Sequence, residues 1–379
     1  MKIEDAATEQ FAVLEEEKIS AHPPHGGWTA RLVAGGVLFG AMMLLIGLVQ
    51  PLDASRIGYA FIFAIIGLSM NVILGYAGQI SLGHQAFVGI GAFMASYVVS
   101  KLGLDFVLAV PAAALSGAVS ALILGAAALR ISGLLLALVT LTYGAVAERT
   151  IFLFGPFTGG GSGAPAPKPQ WAQSDNVYAY VCMGFLGFVL FIDWRFVKTK
   201  AGRAVQAVRD SERVAASMGI SVMKYKLLAF VFMGAIAGLA GGLLAHNVGV
   251  VQAGSFSFFL ALEFVLMTVV GGLRSRAGVV VGSMFFALLD RYFAQIYESF
   301  LNFIDFIPGV RGFFEDVIAD SGLLVPAVGA GLLILTLIQF PGGIGQQLKP
   351  ITKWFAGERF DIKNIHEEIV QVAEEDVRA

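Results

Sequence analysis

The polar side chains of Asn71, Gln79, Ser81, His84 and Gln85 fall within NVILGYAGQISLGHQAF, residues 71–87. Glycines at 75, 78 and 83 lie among them, and the chain on either side is apolar for about a helix's length. Carboxamides, a hydroxyl and an imidazole brought together can line a path for a small polar solute. They can equally satisfy backbone groups that a broken helix sets free in an apolar setting. His84 and His246 have the residue type for a proton relay, and a packed, hydrogen-bonded histidine suits the same positions. Charges join the set at Glu148 and Arg149 in LTYGAVAERTIFLF, at Glu263, and at Asp290 and Arg291. Neighbours in sequence do not face each other on a helix. Arg149 can therefore reach outward, while Glu148 calls for a partner on another helix. Each of these charges is read as a structural ion pair or as a pathway group.

Bond-making chemistry finds no support. There is no nucleophile–base arrangement, no Cys/His spacing of a metal site and no G-x-x-x-x-G-K-[ST] phosphate loop. The glycine cluster at 159–163 has no Lys-Ser/Thr after it. The single cysteine, Cys182, sits in an apolar run, so no intrachain disulfide can form.

The elements that must position these groups are membrane helices. Hydrophobic residues make up 57% of the 379 and charged ones only 14%, too few to solvate a soluble surface. Apolar runs of about 20 residues match the hydrocarbon core of a bilayer. The expected fold is an all-α polytopic membrane protein of about ten transmembrane helices, with broken or short helices near residue 75. The spans read as 31–50, 57–74, 80–100, 106–129, 134–154, 177–194, 227–248, 258–273, 277–297 and 323–340. The organisation is then a tail at 1–30, a transmembrane domain at 31–344 and a charged tail at 345–379.

Orientation follows from Lys and Arg in the short loops. Residues 195–226 hold eight basic side chains: Arg195, Lys198, Lys200, Arg203, Arg209, Arg213, Lys224 and Lys226. This loop is expected in the cytoplasm. Counting spans from it places Arg130, Arg274, Arg276 and both termini there too. The acidic first 30 residues lack the basic start and cleavage site of a secretory signal. Ile362, Ile365, Ile369 and Val372 recur at helical spacing in the last tail, as in a short amphipathic helix. Two longer connections, GPFTGGGSGAPAPKPQWAQSDN and 299–322, fall outside. They either link helices or form a docking face for a soluble partner.

Within TKAGRAVQAVRDSERVAASMGISVMKYKLLAF, Val205, Val208, Ala215 and Ala216 fall near one face of a short helix, and Gly219 supplies its stop. The stretch resembles the cytoplasmic coupling loop of ABC importer permeases, an acidic residue, two alanines and a later glycine. Glu212, Ala215, Ala216 and Gly219 stand in those places, although in the common form the acidic residue directly precedes the alanines. The fit is closer to the branched-chain amino acid permeases of the LivM type. LGYAGQISLGHQAFVGIGAF, FTGGGSG, GRAVQAVRDSERVAASMGI, KLLAFVFMGAIAGLAGGLLA, VVGGLRSRAGVVVGS and FPGGI match in the same order. The resemblance covers about residues 30–345.

It implies a permease subunit with no ATPase site of its own in a bacterial inner-membrane importer. Implied partners are a second permease, two cytoplasmic ABC ATPases that hydrolyse ATP, and an external substrate-binding protein. Arg203, Arg209, Glu212, Ala215, Ala216 and Gly219 become the candidate ATPase-coupling residues. Asn71, Gln79, Ser81, His84 and Glu148 become the candidate translocation-pathway residues. Substrates are branched-chain amino acids, or urea and short amides as in related permeases. An ion-gradient-driven secondary transporter is the alternative class, since broken helices and intramembrane carboxylates occur there too.

Overall fold

The computed structural model describes residues 40–289 apart from 41, 45, 132 and 160–162. The expected spans 31–50 and 323–340, the second half of 277–297, the 299–322 connection, both tails, Asp290 and Arg291 lie largely or wholly outside that range. The helices are α1 (Pro51–Met70), α2 (His84–Ser100), α3 (Phe106–Ala128), α4 (Leu134–Arg149) and α5 (Asp175–Lys198), then α6 (Lys200–Asp210), α7 (Glu212–Ser217) and α8 (Val222–Val248), and finally α9 (Phe258–Gly271) and α10 (Arg276–Leu289). A six-residue π-helical turn, Asn71–Tyr76, extends α1.

Among the described residues, five helical segments are long and apolar enough to cross a membrane: Asp53–Tyr76, Phe106–Ala128, Leu134–Leu153, Asp175–Lys198 and Val222–Val248. α9 and α10 are apolar and shorter. Each expected span from 57–74 to 258–273 coincides with one helix. Two edges move. Residues 80–83 are not helical, so α2 begins at His84 rather than at Ile80. α8 begins at Val222, ahead of the apolar run at Leu227, because its first turns carry Lys224 and Lys226, which hydropathy excludes.

The core is a close-packed group of α2, α3 and α8, and small residues make it possible. A β-carbon on Gly234 would strike Ala121 and the Gly117 carbonyl, one on Gly238 the Ala113 carbonyl, and one on Gly91 the backbone of Gly238. Lipid gives helices no hydrophobic reason to associate, so backbone approach and van der Waals contact carry the packing. α1 is buried along most of its length, with α5 and α8 as its main neighbours. α4 touches this core mainly near its middle. An apolar groove of about 720 Å³, lined by Ile90, Met94, Leu115, Ile123 and Tyr143 among others, lies between it and α3. One polar link, between the Ser120 and Tyr143 hydroxyls, spans the two helices.

Polar connections gather at two opposite ends. At one end Ala164–Pro165 pairs antiparallel with Val250–Val251, in register Ala164↔Val251 and Pro165↔Val250. There Ser96 Oγ donates to the Pro165 carbonyl at 2.7 Å, and Phe106 meets Trp171 edge-on. The Gly/Pro-rich connection is thus folded onto the helix ends, and includes one helical turn at Gly155–Thr158. The basic loop, the π-helical turn and the turn before α10 meet at the other end.

Candidate functional site

The basic end is built around the π-helical turn. Its hydrogen bonds reach further back than an α-helix allows: Ala77 N to Val72 O is 3.1 Å and Gln79 N to Ile73 O is 2.9 Å. Single widened turns of this kind often mark functional sites. Three separate elements hold this one.

The first hold runs through Asn71. Its side chain folds across Gly75, where a β-carbon would overlap Asn71 Oδ1. That oxygen accepts from the backbone N–H of Arg274 at 2.9 Å. Arg274 is the one non-glycine residue with positive φ among those described, at 68°. A long side chain in this region is uncommon, and such conformations persist where surrounding contacts over-determine them.

Arg209, in the last turn of α6, makes the second hold. Its Nη1 donates to the Gly75 carbonyl at 2.6 Å. The aliphatic stem lies over Gly78, whose φ is 65° and where a β-carbon would come within 2.7 Å of Arg209 Cγ. Glycine at 78 therefore answers both a left-handed backbone and a missing volume. Burial, and then the nearby positive charge of Arg274, pull the Arg209 guanidinium below the ordinary arginine pKa, with Asp210 opposing.

The third hold is a buried carboxylate. Asp193, fully buried in α5, accepts from the Tyr76 hydroxyl at 3.0 Å, and Arg276 Nε donates to the same oxygen. Truncating one member of a buried ion pair costs about 3–5 kcal/mol, because the remaining charge is left uncompensated. Neither Tyr76 nor Asp193 was among the candidate residues read from sequence. One signal was available: Asp193 sits near the C-terminus of its helix, where the macrodipole disfavours an anion, so it needs a cationic partner.

Beyond the turn, residues 78–83 alternate between facing out and facing in. Gly78 and Ile80 are exposed and Leu82 partly so, while Gln79, Ser81 and Gly83 are buried. This is non-helical chain with its polar side chains inward. Leu82 N donates to Thr140 Oγ1 at 3.0 Å, and Gly83 rests against the Thr140 carbonyl on α4. Ser69 donates to the Ile66 carbonyl, leaving its oxygen to accept from His84 Nε2 at 2.7 Å. The His84 ring packs edge-on to Phe87 and Phe264. Asn71, Gln79, Ser81, His84 and Gln85 are all buried. Each nevertheless keeps one polar atom with no hydrogen-bond partner among the described residues: Asn71 Nδ2, Gln79 Oε1, Ser81 Oγ, His84 Nδ1 and Gln85 Oε1. An unmet buried group costs about 1–3 kcal/mol, so such a cluster calls for a functional explanation.

Glu148 is not brought into this group. It is half-buried, eight residues or about 12 Å along α4 from Thr140, and makes no ion pair among the described residues. His246 is at the opposite end, its Nδ1 donating to the Pro167 carbonyl at 2.8 Å.

The basic loop forms two helices, where sequence spacing suggested one. Ser211 takes an extended conformation (φ −161°) and its hydroxyl accepts from Val214 N, so α6 stops and α7 starts. α6 buries Gly202, Ala204, Val205 and Val208. On α7 only Ala215 is buried, and Ala216 does not share the valines' buried face as expected, because Ser211 resets the helical phase. Glu212 Oε1 accepts from Lys226 Nζ at 2.6 Å, and that lysine is 4% exposed. Arg203 is exposed and donates to the Lys198 carbonyl at 2.8 Å. Arg213, Val214, Ala216 and Met218 are exposed together, and Gly219 ends α7 with φ 79°.

Three comparisons place these features among known proteins. The family described as branched-chain amino acid transport system / permease component matches residues 54–311. The chain is 30% identical over 354 residues to the high-affinity branched-chain amino acid transport system permease protein LivM of Salmonella typhimurium, spanning 85% of this chain and 77% of that protein. Against LivM of Escherichia coli it is 30% identical over 280 residues, 65% of this chain and 66% of that one. The LivH permease of Salmonella typhimurium is 24% identical over 277 residues, 64% of this chain and 86% of its own. No solved structure matches the chain.

Proposed function

The chain belongs to the family of permease components of branched-chain amino acid transport systems, and from that membership we propose that it is one membrane subunit of an ATP-driven importer. It is a multi-pass membrane permease, a transport component rather than an enzyme. The proposed cargo is a branched-chain or related small amino acid, as the names of its relatives suggest.

The proposed assembly has four kinds of part. A second, related permease completes the membrane body; the likeness to both LivM and LivH supports such a pair. Two cytoplasmic ABC ATPases bind and hydrolyse ATP. An external binding protein delivers substrate. In this reading the protein has about ten spans in a bacterial cytoplasmic membrane. The loop 195–226 and both tails, 1–30 and 345–379, lie in the cytoplasm around the domain 31–344.

The observation that carries the coupling role is the exposed surface of α7 beside a helix, α6, that grips the π-helical turn. An ATPase docked on Arg213, Val214, Ala216 and Met218 would act one helix away from that turn. Glu212, exposed on α7, then ties that helix to the buried Lys226 of α8, while Gly219 lets the loop turn back into α8. Asn71, Gln79, Ser81 and His84 are proposed to meet the substrate path when the segment opens, with Glu148 nearer the far end of α4.

Co-expression with the partner subunits tests the reading. ATPases should co-purify with the chain, and uptake into proteoliposomes should require ATP hydrolysis. Uptake that persists without ATPases and collapses with an uncoupler would overturn it in favour of a gradient-driven carrier. In the same assay His84→Leu should abolish most uptake while the complex still assembles; unchanged uptake would leave His84 a structural role only. Calorimetry on the external binding protein separates branched-chain amino acids from urea or short amides.

A further inference from the structure

We infer that Arg209 is the positioning residue through which the basic loop keeps the segment 77–83 closed over a set of unpaired polar groups. This rests on the permease reading above and adds the physical link between the loop and the path. Four observations converge on it. Arg209 is the α6 side chain that reaches the π-helical turn, and it holds that turn by a carbonyl, Gly75 O at 2.6 Å, rather than by a side chain. Its stem covers Gly78, near the start of that segment. Immediately beyond, Gln79 and Ser81 point inward with unpaired oxygens, next to the unpaired His84 Nδ1 and Gln85 Oε1. The outer side of the segment is thin, since Ile80 is 42% exposed.

The remaining anchors divide the turn into a fixed half and a releasable half. Asp193 and Tyr76 are buried, and Arg276, partly exposed, caps the carboxylate from the start of α10. Asn71, itself buried, is held to Arg274 N, in the turn before α10 rather than in the basic loop. Arg209 is the anchor that belongs to the loop itself. It sits beside Arg274, whose like charge opposes its stay. A displacement of α6 withdraws this guanidinium first. The carbonyl of Gly75 is then free, Gly78 is uncovered, and 77–83 can leave the face of α4 where Leu82 N rests on Thr140. The polar atoms it now shields would meet water or a polar solute, which satisfies them.

The sole cysteine supplies an internal control, because Cys182 is fully buried in α5, away from the segment. The experiment uses the full transporter in membrane vesicles and follows maleimide labelling of Ser81→Cys. With Arg209 present and no nucleotide, labelling should be slow, since Ser81 is 1% exposed. Arg209→Ala should raise the rate by about tenfold or more, as expected for losing a charge-assisted hydrogen bond. Arg209→Lys should fall between, having charge without the planar fork. Cys182 should stay unlabelled throughout. A non-hydrolysable ATP analogue should speed Ser81→Cys labelling with Arg209 present and add little in Arg209→Ala. Unchanged labelling in Arg209→Ala overturns the inference, as does simultaneous labelling of Cys182, which would show loss of fold rather than local opening. Failure of the importer reading shows up separately, as absence of ATPases from the complex and of any nucleotide effect. The comparison of Arg209→Ala with the parent in the absence of nucleotide stands apart from both.

Discussion

At the scale of single residues, the site turns on exchanges of space as much as on charge. Asn71 and Gly75 are one structural unit, because the carboxamide occupies the room that a side chain at 75 would take. The same carboxamide reaches Arg274 N and so ties α1 to the turn before α10. Gly75→Ala should cost about 1–3 kcal/mol by pushing Asn71 off that N–H. Asn71→Ala should cost a similar amount, and the double substitution clearly less than the sum. Thermal unfolding of the four proteins in detergent checks this; strictly additive losses would mean that the two residues act independently. Asp193 follows a different rule. Its carboxylate is tolerated in a fully buried position because Arg276 and Tyr76 meet it, and a buried charge without such partners is expensive.

At the scale of elements, the notable divisions are those that end a helix. Ser211 splits the basic loop, so α6 faces the membrane body while most of α7 faces away from it. Gly219 then ends α7 in open space, with φ 79° and no atom within 4 Å of where a β-carbon would stand. Any penalty of substitution there comes from backbone strain or from a docked partner rather than from this chain's own packing. Asn tolerates the left-handed region and Val does not. Gly219→Val should therefore lower uptake severalfold while ATP hydrolysis by the complex continues, with Gly219→Asn close to the parent. Equal loss in both variants would point to contact with the partner and against a requirement for this backbone conformation.

At the scale of the molecule, a close-packed group of α2, α3 and α8, joined by glycine contacts, carries parts that touch it less. α4 stands off across an apolar groove, and the non-helical segment 77–83 leans on it. The basic loop and the β-paired connection mark opposite ends. If the helices cross the membrane as proposed, Met218 and Trp171, 73% and 58% exposed, lie on opposite sides of it. Met218→Cys should label with an impermeant maleimide only from the cytoplasmic side, and Trp171→Cys only from outside. Labelling of both from one side would overturn the orientation.

Much of this was legible in the sequence. Hydropathy located the membrane helices because length and apolarity are local properties of a segment. Glycines among polar residues at 71–87 located the break, since a helix cannot absorb both in lipid without cause. Charge density singled out the loop 195–226. Edges were less legible: Lys224 and Lys226 hid the start of α8, and the cap at Ser211 hid the division between α6 and α7. What only the tertiary structure decided is which groups meet. Arg209 lies 134 residues from Gly75, Tyr76 lies 117 from Asp193, and Asn71 lies 203 from Arg274. Those contacts depend on how whole helices pack, and no spacing along the chain encodes them. Sequence alone determined that polar groups stand in a broken membrane segment; the packing of distant helices decided that they are buried, partly unpaired and next to a turn that Arg209 of the basic loop contacts.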